Sequence, residues 1–135
     1  KFTKKVQIES RVLGDLAMNH ILPVATACQS RLIDAVYKMK ELFAEEKSAR
    51  LTKENMKLIE EIGERVLFIT EHVDAMVEAR KVANKITDER EKAIAYHDHI
   101  APMLEEIRYH VDKLELIVDN EAWPLPKYSE LLFIR

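Results

Sequence analysis

The feature that most constrains the fold of this chain is a heptad pattern between Asp88 and Val118. Residues along this stretch recur at alternating steps of four and three, which is the spacing of one buried stripe on an α-helix. The stripe consists of Ala93, His97, Ile100, Leu104, Ile107, Val111, Leu114 and Val118. A helix with such a stripe gains most of its stability by packing it, so the pattern predicts partner helices.

Two earlier stretches supply those partners. Residues 3–46 contain two apolar registers separated by Pro23, the first being Val6, Leu13, Leu16 and His20, and the second Ala25, Cys28, Leu32, Ala35, Met39 and Leu42. The registers differ by two residues, or about 200° of rotation, so the sequence predicts a kink or two helices at the proline. The direction of the helix before Pro23 stays open.

The middle of the chain repeats the heptad spacing over residues 53–84. Its stripe is Ile59, Ile62, Val66, Ile69, Val73 and Met76. Thr52 is the expected N-cap after a short polar connection at 47–51, and Thr87 is the expected cap of a third helix at 88–119. Pro102 should bend this third helix near His99 without ending it.

The chain therefore reads as one all-α domain spanning residues 1–135. Only two glycines and four prolines leave little sequence for turns, which favours long helices with short connections. Neighbouring helices joined by short connections run antiparallel. We expect an antiparallel up-down-up bundle of three long helices, the first kinked at Pro23, followed by a C-terminal tail.

Charge and composition exclude several classes of partner. The 21 basic and 24 acidic side chains are interspersed and give a net charge of −3, so no sustained positive face is available for nucleic acid or an anionic membrane. No apolar run is long enough to span a bilayer. A single cysteine, Cys28, permits no internal disulfide and agrees with a cytoplasmic location.

The tail, residues 120–135, contains more apolar surface than a solvated chain end needs. Pro124 and Pro126 forbid a regular helix there and favour an extended path with short helical turns at most. Because exposed aromatic and leucine side chains waste apolar area, we expect the tail to dock. The predicted docking residues are Trp123, Tyr128, Leu131, Leu132 and Phe133.

The chain shows little sign of its own chemistry. No Glu-x-x-His pair occurs, and Glu106 with His110 has no second pair to complete a metal site, so we expect no metal, no cofactor and no catalytic residue. His97 and His20 are read as core histidines. Gly14 and Gly63 lie in helical runs, where they cannot form a phosphate-binding loop.

One spacing leaves an alternative open. His110 and Lys113 have the His-x-x-Lys spacing of histidine phosphotransfer domains, which are also helical bundles. Those domains place a small residue after the lysine so that a receiver can approach, whereas Leu114 stands there in this chain. The residues alone favour an interaction or structural module over phosphotransfer.

Several segments together resemble one family. Ile107–Glu115, the ending Trp-Pro-Leu-Pro-Lys-Tyr at 123–128, Met76–Lys81 and Ile21-Leu22-Pro23 make the chain similar to the C-terminal helical region of type III glutamine synthetase. Ile8-Glu9 and Arg11 belong to the same resemblance, which therefore spans nearly the whole sequence.

The resemblance implies a parent enzyme that condenses glutamate and ammonia into glutamine with ATP and Mg²⁺, in a ring-shaped homo-oligomer. The family's ATP, metal and glutamate residues lie on an upstream catalytic domain, so the resemblance carries no catalytic residue onto this chain. It implies a non-catalytic accessory domain whose partners are that catalytic domain and neighbouring subunits. The alternative is a free-standing helical adaptor or signalling module.

Overall fold

Helices account for nearly all of the part of the chain that the structure describes. The computed structural model describes the backbone of residues 2–122 and the side chains of residues 2–119. The elements are α1 (Phe2–Leu16), a first π segment (Ala17–Ile21), α2 (Leu22–Leu42), α3 (Glu45–Leu51), α4 (Lys53–Asn84), α5 (Glu89–Ala95), a second π segment (Tyr96–Ile100) and α6 (Ala101–Ala122). Residues 2–122 contain no strand, which confirms the all-α prediction.

Polar contacts join the long helices to one another. The Gln7 amide donates to Asn84 Oδ1 at 3.1 Å, and the Gln29 amide donates to the Ile59 carbonyl at 2.9 Å, so α1 contacts the end of α4 and α2 contacts its first half. The Tyr96 hydroxyl also donates to Asn84 Oδ1, at 2.6 Å. The same amide oxygen therefore joins three helical stretches at one end of the domain.

The core is a single apolar cluster shared by these stretches. The predicted stripe of α4 is confirmed, because Ile62, Ile69, Val73 and Met76 are buried and Ile59 and Val66 are half-buried. The remaining buried apolar residues are Val6, Leu13, Ala17, Ala25, Cys28, Leu32, Val36, Ala83, Tyr96, Ile100, Leu104, Ile107, Val111 and Leu114. None of the described helices is long and apolar enough to cross a membrane.

Both prolines within the described residues, Pro23 and Pro102, follow a π segment. Pro23 and Pro102 stand two residues after the first and second π segments, respectively. The N–H before each proline bonds five residues back, from Leu22 to the Ala17 carbonyl and from Ala101 to the Tyr96 carbonyl. A proline lacks a donor and its ring crowds the carbonyl four residues earlier, so the wider π turn accommodates the ring without ending the helix.

The π turns also correct two predicted registers. A π turn takes up more residues than an α turn, so the buried position before Ile100 is Tyr96, which has no exposed surface, and not His97, which is exposed. In the first helix the buried stripe continues through Ala17 to Ala25. The predicted stripe positions Leu16 and His20 are wrong, because both are exposed.

The connections differ from the sequence-based expectation as well. The expected polar connection at 47–51 lies within α3. Ser48 inside this stretch and Thr52 directly after it are both buried. Thr52 is not a side-chain N-cap, because its hydroxyl donates back to the Ser48 carbonyl at 2.7 Å. The cap of α5 is Asp88 and not Thr87, since the Asp88 carboxylate accepts from the Glu91 N–H at 2.9 Å.

Placing a charge in the core should destabilise the domain. Ile107→Asp buries an unpaired carboxylate at a position with no exposed surface, and it should cost about 3 kcal/mol or more. Val66→Asp, at a half-buried position, should cost less. Leu67→Asp is the control, because Leu67 is 58% exposed. Urea unfolding followed by circular dichroism measures all three, and equal midpoints would contradict the observed register.

The two glycines should respond differently to alanine. A Cβ at Gly14 would lie 3.8 Å from Val73 Cγ1 and 3.9 Å from Met76 Cε, which is ordinary contact, so Gly14→Ala should stabilise by about 0.5–1 kcal/mol. A Cβ at Gly63 would lie 3.2 Å from Gln29 Nε2 and disturb its bond to Ile59. Gly63→Ala should give no such gain in thermal unfolding.

Candidate functional site

The residues predicted to dock lie outside the described side chains. Trp123, Tyr128, Leu131, Leu132 and Phe133 all belong to this group. Their docking therefore stays a prediction. Two surface features of the described residues are candidates for function, a groove between α1 and α4 and a stack of rings between α4 and α6.

The α1–α4 groove is the larger feature, with a volume of about 740 Å³. The described residues that line it belong to α1, the first π segment and α4: Ile8, Ser10, Arg11, Val12, Gly14, Asp15, Met18, Val73, Met76, Val77 and Arg80. Ile8 and Val12 are one helical turn apart and are 53% and 62% exposed. Such a wall of solvent-facing apolar side chains is typical of an interaction surface.

Arg80 gives the α1–α4 groove its polar character. Its Nη1 donates to Ser10 Oγ at 3.2 Å, and that buried hydroxyl donates in turn to the Gln7 carbonyl at 3.0 Å. Burial lowers the pKa of Arg80 below its ordinary value, with Tyr96 acting in the opposite direction and Arg11 in the same one. Among the described residues Arg80 takes part in no ion pair.

The ring stack places Phe68 between two histidines. Its ring centroid lies 3.7 Å from that of His72 and 3.9 Å from that of His110. Arg65 Nη1 donates to His110 Nδ1 at 2.9 Å, while Arg65 Nε binds the Glu61 carboxylate at 2.8 Å. Because a guanidinium can only donate, Nδ1 of His110 must accept, and the imidazole is neutral with its proton on Nε2.

Electrostatics in the ring stack agree with a neutral His110. Burial lowers the pKa of His110 most, and Arg65 and His72 lower it further, while Glu106 acts in the opposite direction. His72 donates through Nδ1 to the Phe68 carbonyl at 3.0 Å, and its Nε2 lies 3.9 Å from the Glu106 carboxylate. The ring stack is therefore a packed contact between side chains of α4 and α6.

The histidine predictions are corrected by these positions. His97 and His20 are exposed and are not core histidines. His72 is half-buried in the ring stack. The spacing of Phe68 and His72, four residues apart, is a signal that could have located the stack. Within the described residues, no group of three or more His, Cys, Asp or Glu side chains could hold a metal ion.

Comparison with known proteins gives these surfaces their context. The family model "Glutamine synthetase C-terminal domain" matches residues 1–40. A glutamine synthetase of Bacteroides fragilis (strain YCH46) is 53% identical over 135 residues, which is 100% of this chain and 18% of that protein. Over its whole length the chain therefore matches part of a glutamine synthetase. The resemblance inferred from the sequence is thereby confirmed.

A more distant relative supports the same assignment. A type-3 glutamine synthetase of Dictyostelium discoideum is 28% identical over 134 residues, covering 99% of this chain and 18% of that protein. The chain thus spans less than a fifth of the length of the curated relatives it matches. Its surfaces are those of one domain type found within much longer proteins.

The pKa of His110 predicts a pH dependence of stability. Because the folded state holds this pKa below that of the unfolded chain, the unfolded state binds more protons as the pH falls through the ordinary histidine range near 6.5. The free energy of unfolding should therefore decrease on acidification from about pH 7.5 to 5.5.

The His110→Gln variant isolates this effect, because a glutamine side chain can still accept from Arg65 and does not titrate in this range. Urea unfolding at both pH values should show a smaller loss for His110→Gln than for the wild type. His97→Gln, which changes an exposed imidazole, is the control. Equal pH dependence in wild type and His110→Gln would contradict the assignment.

Proposed function

We propose that this chain is the non-catalytic C-terminal accessory and assembly domain of a type III glutamine synthetase. The observation that carries this proposal is the 53% identity over the whole chain to a glutamine synthetase more than five times as long. The parent enzyme would form glutamine from glutamate and ammonia using ATP and Mg²⁺.

Sequence composition supports a non-catalytic role for the domain itself. Both glycines, Gly14 and Gly63, lie within helices, so neither is placed to form a loop that binds nucleotide phosphates. Polar side chains of the α1–α4 groove and the ring stack bond to one another across helices. These contacts hold helices together, which suits a domain that presents surfaces to partners.

The proposed partners are the upstream catalytic domain and neighbouring subunits of a homo-oligomeric ring in the cytoplasm. The near balance of 21 basic and 24 acidic residues supports protein partners over nucleic acid or a membrane. The tail residues Trp123, Tyr128, Leu131, Leu132 and Phe133 are proposed contacts. Burying side chains of this size contributes about 1.5–3 kcal/mol each before ordering costs.

The proposed scaffold for those contacts is an up-down-up bundle of three long helices, with a bend near Pro23. Its support is the order of the contacts along the helices. Gln7 and Gln29 contact Asn84 and Ile59, and Tyr96 and His110 contact Asn84 and Arg65. In each series the residue numbers rise along one helix while they fall along the helix that it contacts.

Two measurements test the proposal. Titration calorimetry of this chain with ATP and Mg²⁺ should give no saturable heat, and saturable binding would contradict a non-catalytic domain. In the full-length parent, removal of the region corresponding to residues 1–135 should disturb the oligomer seen by sedimentation velocity. A truncated parent that assembles and makes glutamine normally would contradict the assembly role.

A further inference from the structure

Arg80 lies in the α1–α4 groove without an ion-pair partner among the described residues, although burial already penalises its charge. Its one described hydrogen bond is to a neutral hydroxyl, that of Ser10. Arg11, a second cation, lines the same groove. A partly buried guanidinium beside apolar walls is best satisfied by a carboxylate, which accepts two parallel N–H bonds from it.

The apolar walls set the second requirement for the occupant. Ile8, Val12 and Met18 are 53%, 62% and 36% exposed and line the groove together with Val77. An occupant that covers them must present several apolar side chains next to its carboxylate. The sequence of this chain contains such a segment, because Glu130 is followed directly by Leu131, Leu132, Phe133 and Ile134.

We infer that Tyr128–Ile134 of a second copy of this chain docks in the α1–α4 groove, with Glu130 paired to Arg80. The inference builds on the proposed assembly role and names the contact between copies. Charge complementarity orients the segment, and its apolar side chains cover Ile8, Val12 and Met18. The contact explains why a solvent-facing wall on α1 is apolar.

The length of the tail favours a second copy over the same chain. Val118 lies beside Ile21, Ile21 is eleven residues from Ser10, and Ala122 is four residues beyond Val118. At 1.5 Å per residue, the end of α6 is roughly 22 Å along the bundle from the level of Arg80. Glu130 follows Ala122 by eight residues, which span at most about 26–29 Å when fully extended.

The same chain would reach the groove only with its tail almost fully extended, because about 22 Å along the bundle and about 16 Å around one helix make a path of roughly 27 Å. Among the described side chains, none from α5, the second π segment or α6 lines the groove, so α6 lies on the far side of the α1–α4 pair. The tail would have to pass around a helix about 10 Å wide. Glu130 of a neighbouring copy has no such restriction.

A charge exchange tests the contact between copies. In the 135-residue chain, Arg80→Glu or Glu130→Arg alone should weaken self-association about tenfold or more, measured by sedimentation velocity, because each makes the contact repulsive. Mixing the two single variants should restore association, since both groove–tail contacts of the mixed pair join opposite charges. Such rescue occurs only when groove and tail belong to different copies.

Controls separate the contact from misfolding and from other forms of assembly. Val12→Asp, within the groove, should also weaken association, while Leu116→Asp on α6, which is 51% exposed and outside the groove, should not. A chain that is monomeric at all concentrations would overturn the inference. So would rescue in the Arg80→Glu/Glu130→Arg double variant without rescue in the mixture, because that result assigns the contact to one chain.

The result is distinguishable from failure of the proposed function. Rescue by mixing depends only on the groove and the tail, whereas the accessory role depends on how the parent assembles when the domain is removed. Rescue in the isolated chain together with normal assembly of the truncated parent would keep the contact and reject the assembly role. No rescue together with disturbed assembly would reject the contact and keep the role.

Discussion

The rest of this structure depends on two helices keeping one buried stripe continuous across a proline. Pro23 and Pro102 each remove a backbone donor in the middle of a helical stretch, which would ordinarily bend or end it. A π segment before each proline takes up the disturbance and restores the stripe, so that Ala17 continues to Ala25 and Tyr96 continues to Ile100. Without that shift, His97 and not Tyr96 would occupy the core.

The second π segment determines a hydrogen bond at the end of α4. It turns the Tyr96 ring into the core and brings its hydroxyl to Asn84 Oδ1, the atom that also accepts from Gln7. This amide oxygen therefore joins the first, middle and last long helical stretches. An aromatic ring with a bonded hydroxyl combines apolar burial with a fixed orientation, which an imidazole at the same position would not supply.

The sequence was sufficient for elements whose residues follow one period without interruption. The stripe of α4 contains no proline and was predicted correctly, as were Ile100 and the apolar positions of α6 from Leu104 to Leu114. Most errors lie where a backbone feature changes the period or the cap, at Leu16, His20 and His97 and at the caps of α4 and α5. Leu42, the last predicted stripe position of α2, is also wrong, because it is 75% exposed at the end of that helix. A π turn has no composition of its own, so periodicity alone could not reveal it.

The candidate surfaces were harder to predict because they depend on pairs of distant residues. Nothing near Arg80 in the sequence indicates that its guanidinium meets Ser10 seventy residues earlier, nor that Arg65 meets His110. The two guanidinium groups also differ in whether a carboxylate neutralises their charge. Arg65 is neutralised by Glu61 and donates to a neutral imidazole, so the ring stack is complete within α4 and α6.

Among the described residues, no carboxylate neutralises Arg80 in this way. A partner that brings a carboxylate would therefore gain more binding free energy at Arg80 than at Arg65. A guanidinium that already has its carboxylate gains little from another, whereas one held beside apolar side chains gains a strong, orienting ion pair when a carboxylate arrives. The buried apolar residues between Val6 and Leu114 form one cluster, which is the described core. This core holds α1 and α4 in place, so the α1–α4 groove is formed before a partner binds. A preformed surface lowers the conformational-entropy cost of binding.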